Sequence, residues 1–62
     1  MLKIEIKTGG AAYRDEDGEI DRSAYELRRN LKEIEGKLEY GCRAGYIMDI
    51  NGNKVGNWTL ED

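Results

Sequence analysis

Residues 2 to 8 read LKIEIKT, in which Leu2, Ile4 and Ile6 alternate with Lys3, Glu5 and Lys7. A period of two with one apolar face predicts a half-buried strand over 2–8, and Gly9-Gly10 ends it. From Ala24 the period changes. Ala24, Leu27, Leu31, Ile34 and Leu38 recur at spacings of 3, 4, 3 and 4, and they fall within roughly 80° of a helical wheel. This stripe predicts a helix over 23–40. Ser23 and Glu26 have the spacing of a capping box, and Gly41 suits a left-handed C-terminal cap. Glu33 and Lys37 form an i,i+4 pair in the favourable order. Gly36 lies nearly opposite the stripe, where it costs about 1 kcal/mol in propensity and no packing.

Two short strands, 46–49 and 53–59, flank Asn51-Gly52, the commonest hairpin signal. Two registers are open. A two-residue turn pairs Met48 with Val55. A type I turn with a bulge, Asp49 first and Gly52 left-handed, pairs Ile47 with Val55. The second is preferred because it sends Ile47 and Val55 to the core face. Between the first strand and the helix, residues 9–22 form a long polar loop. No internal repeat or low-complexity segment is evident. The layout is β-α-β-β, an α+β domain with one helix on one face of a three-stranded sheet. A right-handed crossover lets the first strand add antiparallel to the last, giving order 1-3-2. Order 1-2-3 would need a parallel pair.

At 62 residues this is a single small domain with a limited core. One cysteine, Cys42, and no histidine exclude an internal disulfide and a structural zinc site. The charged N-terminal strand does not read as a signal peptide, and no stretch reaches the ~20 apolar residues of a membrane span. The expectation is a cytoplasmic chain without a membrane partner. Net charge is −3, with five acids between Arg14 and Arg22, which argues against non-specific nucleic-acid binding.

Two stretches could pass for calcium loops. Aligning Gly18 of Asp15–Asp21 with the sixth loop position puts Tyr13 at position one and Ala24 at position twelve, so both end ligands are missing. In Asp49–Leu60, Lys54 stands where glycine is needed, Gly56 where an apolar residue is needed, and Leu60 where the bidentate acid belongs. Neither is read as a metal site, and no cofactor is expected. Without histidine no Ser-His or Cys-His pair can form, so the chain reads as a non-enzyme.

Binding remains. In the preferred register Tyr46, Met48 and Trp58 share the sheet face away from the helix, a surface suited to a protein partner or self-association. The competing reading turns Trp58 into the core through a distortion at Gly56. Arg22, Arg28, Arg29 and Lys32 on the helix are the candidates for weak nucleic-acid binding, against the plain reading of a solvated face.

The opening KIEIKT, the following AAY, the helix YELRRNLKEIEGKLE and above all DINGNKVGNW resemble a group of small, uncharacterised proteins encoded by tailed phages and bacterial prophages. The resemblance spans most of the chain. It implies a phage or mobile-element origin and a cytoplasmic setting, and it implies no activity. GCRAG and Gly36 depart from the more polar, more helical sequence expected there.

Overall fold

The computed structural model describes residues Met1–Asp62. Strand β1 is Leu2–Ile6, a short 3-10 turn covers Ala11–Tyr13, helix α1 is Tyr25–Glu39, and strands β2 and β3 are Ala44–Met48 and Lys54–Leu60. The sheet is antiparallel throughout with order β1-β3-β2. The α+β architecture and strand order match the pattern read from the sequence. β1 stops two residues earlier than expected, although Lys7 N–H still donates to Val55 O at 2.7 Å.

The helix packs its 26-30-34-38 line inward, not the whole predicted stripe. Ile34 joins Ile47 and Trp58 in the buried cluster, with Ile4, Ile6, Leu38, Val55 and Leu60 around it. Glu26 and Asn30 are buried, while Leu31 is 48% exposed. Two polar residues displaced the apolar stripe because each finds hydrogen-bond partners inside, which removes the desolvation cost of burying it.

The helix start also differs from the capping box. Ser23 Oγ donates to Asp21 Oδ2 at 2.7 Å, Glu26 turns toward Arg29, and Ala24 precedes the first turn in a left-handed conformation (φ 50°). The C-terminus follows expectation. Gly41 has φ 91°, its N–H donates to Leu38 O, and Cys42 N–H donates to Lys37 O, the double bond pattern that ends helices on a left-handed glycine. The expected Glu33–Lys37 pair gives way to Glu33–Arg29 at 2.6 Å.

The hairpin contains the decisive irregularity. At the turn, Asp49 N–H donates to Asn53 O, Gly52 N–H to Asp49 O, and Met48 stands opposite Lys54. That is the preferred turn. One step on, Ile47 faces Gly56 instead of Val55, because Val55 is an extra residue in a bulge. The bulge shifts β3 by one residue. Trp58 consequently pairs with Gly45, shares the face of Ile47, and is 1% exposed. Gly56 is required here: a Cβ on it would sit 1.8 Å from Glu5 O on β1. Gly45 makes room in the same way, since its Cβ would stand 2.9 Å from Trp58 Nε1.

The loop between β1 and α1 is ordered by its own small hairpin. Asp15 Oδ1 accepts from the N–H groups of Asp17 and Glu19, Gly18 N–H donates to Asp15 O, Asp15 N–H donates to Glu19 O, and Gly18 has φ 81°. Asp49, Asn51, Gly52 and Asn53 repeat the same bonds at the β2–β3 turn, with Gly52 at φ 83°. The chain therefore uses one turn twice, as Asp15-Glu-Asp-Gly-Glu19 and Asp49-Ile-Asn-Gly-Asn53. This local repeat was not recognised from sequence. In both, the carboxylate faces positive N–H dipoles, which is why the sequence favours a turn over a cation loop.

Candidate functional site

The β2–β3 turn is fastened to the first turns of α1 by buried polar side chains. Glu26 Oε2 accepts from Ile50 N–H at 2.6 Å, and both Glu26 oxygens accept from Arg29, at 2.5 and 3.1 Å. Arg29 also donates to Met48 O and to Glu33. Asn30, 0% exposed, donates to Met48 O at 3.1 Å and accepts from Tyr13 OH at 2.8 Å. Tyr13 comes from the 3-10 turn, so three separate segments meet at the end of β2.

The electrostatics follow from these contacts. Arg29 holds the Glu26 carboxyl below its ordinary range, and Glu26 in turn raises Arg29. Asp49 lies low chiefly because Asn53 N–H bonds its carboxylate, with the Asn53 side chain and Asn51 N–H adding to this. Burial raises the Tyr13 phenol, and the neighbouring Glu26 and Asp49 carboxylates push it the same way. Every charge in the cluster is committed to a fixed partner. Its chemistry is to hold the hairpin rigid against the helix.

A groove runs alongside, between α1 and the outer edge of β2. Arg29, Glu33 and Lys37 form the helix wall; Gly45, Tyr46 and Met48 form the strand wall. Arg43 O accepts from Leu60 N–H, so Arg43, Gly45 and Ile47 bond toward β3, and Ala44, Tyr46 and Met48 direct their backbone groups to the groove. Met48 O is already taken by Asn30 and Arg29; the backbone groups of Ala44 and Tyr46 have no protein partner. Tyr46 is 68% exposed, with Lys54 Nζ 4.1 Å above its ring, and Ile50 protrudes from the braced turn at 68% exposure.

Of the residues expected to form a partner surface, the structure brings Tyr46 and Met48 together; Trp58 is corrected to the core, where the competing reading put it, by the bulge at Val55 next to Gly56. Among the basic residues, Arg22, Arg28 and Lys32 are exposed, while Arg29 is consumed by Glu26 and Glu33. Cys42 is exposed beyond the helix cap. No group of three or more His, Cys, Asp or Glu side chains is placed to hold a metal ion. No helix is long and apolar enough to cross a membrane. Sequence reading missed the Glu26–Asn30 line and the groove. The available signal was polar residues continuing the i,i+4 row of Ile34 and Leu38 toward the N-terminus.

In comparison with known proteins, no family model, curated protein or solved structure matches the chain.

Proposed function

We propose that this is a small non-enzymatic interaction module, of the accessory type carried by phages and prophages and working in the bacterial cytoplasm, that takes an extended segment of a protein partner along β2. The observation that carries the reading is the groove beside β2, where unpaired strand backbone at Ala44 and Tyr46 lies between an exposed tyrosine and a helix wall. An extended segment added there gains main-chain hydrogen bonds, and side-chain pockets supply its specificity. The rigid tip means that little ordering entropy is lost on binding. No cofactor takes part.

Affinity capture from a lysogenic or phage-infected bacterial lysate tests this, with a Tyr46→Ala/Met48→Ala variant run in parallel. A protein retained by wild type and lost from the variant supports the groove. Equal retention by both excludes it. A second reading has its own observation: Tyr25, 65% exposed, sits with Arg28 and Lys32 on the helix, a combination of aromatic and basic groups suited to weak single-strand nucleic-acid binding. It requires capture that is nuclease-sensitive and falls with salt.

A further inference from the structure

Both outer strands of the sheet carry unpaired backbone, but they differ. β2 is covered at Met48 O by Asn30 and Arg29. β1 is not covered. Lys7 N–H donates to Val55 O and Glu61 N–H to Met1 O, so the odd-numbered residues of β1 bond to β3. Leu2, Ile4 and Ile6 therefore turn their N–H and C=O groups outward, and no protein group pairs with them. A bare edge of this kind is a template for another strand.

The charge pattern on β1 says which strand fits. Lys3, Glu5 and Lys7 share the outer face, and Leu2, Ile4 and Ile6 the helix face. Suppose a second β1 pairs antiparallel with Ile4 opposite Ile4. Leu2 then faces Ile6, and Lys3 faces Glu5 of the copy, twice by symmetry. These charged pairs occupy the closer, non-hydrogen-bonded positions. The neighbouring registers are poor. One sets Lys3 against Lys3. The other sets Glu5 against Glu5 and Lys3 against Lys7 twice. Opposite charges across strands stabilise and like charges destabilise, so one register is selected.

The helix agrees. Arg29, Glu33 and Lys37 face β2, which places Leu31, two residues and 200° from Arg29, on the flank above β1. Leu2 and Leu31 are 47% and 48% exposed in the single chain, and a copy seated on this edge would cover them.

We propose that the protein self-associates through β1, forming a two-fold dimer with a continuous six-stranded antiparallel sheet centred on Ile4. This goes beyond the groove reading and uses the opposite edge of the sheet, so either can fail alone. The dimer leaves both β2 grooves open at its far ends.

The test is sedimentation equilibrium of the full chain and charge variants, with folding checked by circular dichroism. Wild type should dimerise. Glu5→Lys alone and Lys3→Glu alone should each weaken the dimer about tenfold or more, since two attractive pairs become repulsive. The Lys3→Glu/Glu5→Lys double swap should restore it, and an equimolar mixture of the two single variants should form a heterodimer. Amide exchange at Leu2, Ile4 and Ile6 should slow as concentration rises. A wild type that stays monomeric at millimolar concentration overturns the proposal. So does a dimer indifferent to both single charge reversals, or a double swap no better than the singles.

Discussion

Replacing Glu26 with alanine asks whether the helix really holds the hairpin tip. The carboxylate, 5% exposed, accepts one bond from Ile50 N–H and two from Arg29. A hydrogen bond to a charged group contributes about 1.5–3 kcal/mol net. The Ile50 bond carries that weight, because this N–H has no other partner. The Arg29 share is smaller: its side chain is 29% exposed and it keeps Glu33, so screening leaves about 0.5–1 kcal/mol. Glu26→Ala should therefore cost about 2–4 kcal/mol. A domain of 62 residues has roughly 3–9 kcal/mol in total, so the variant sits near the edge of folding. Glu26→Gln, which keeps an acceptor for Ile50, should cost about 1–2 kcal/mol. Urea denaturation at pH 7, followed by far-UV circular dichroism, measures both.

The same substitution changes the acid limb. Glu26 is held below its ordinary 4.5 by Arg29, and Asp49 below 3.8 by Asn53. The unfolded chain thus binds more protons in this range. Stability from these groups is fully present above about pH 4.5 and is lost as pH falls through the folded-state values. Glu26→Gln should flatten the upper part of that decline. A Glu26→Ala cost under about 0.5 kcal/mol, within the range of ordinary surface substitutions, would refute the brace, as would an acid profile of Glu26→Gln superimposable on wild type.

Gly56→Ala should cost more than about 3 kcal/mol, beyond ordinary overpacking, because the new Cβ meets backbone of β1 and no side chain can step aside; collapsed amide dispersion in a proton–nitrogen spectrum would show it. Gly36→Ala should stabilise by up to about 1 kcal/mol, since its Cβ enters open space, and the thermal midpoint should rise by several degrees. Tyr13→Phe leaves the buried Asn30 Oδ1 without its donor and should cost about 1–3 kcal/mol in urea titration. It should also spare the alkaline limb: the raised Tyr13 pKa gives wild type stability present below 10.0 that is lost as pH climbs through the folded value.

Local patterns in the sequence carried most of the fold. The alternation of LKIEIKT, the Asn-Gly turn and the glycine after the helix each act through neighbouring residues, and each appears in place. What escaped depends on contacts between distant segments. Glu26 and Asn30 look like surface residues until Ile50, Met48 and Tyr13 are known to lie beside them. The sequence left two places open for Trp58, and the bulge at Val55, beside a Gly56 packed close against β1, decides for the core. That single-residue shift decided the candidate surface, since it carried Trp58 from the binding face to the core and left Tyr46 and Met48 behind.

Trp58 also makes the molecule its own optical reporter. It is the sole tryptophan, sealed beneath the helix, with an indole N–H that meets no acceptor. Its emission should lie at the short-wavelength end and move red when the helix lifts. Gly45 separates the indole from the β2 groove with backbone alone. A ligand settling there would press on the fluorophore through a single layer of peptide, so occupancy could be followed by light without attaching a label.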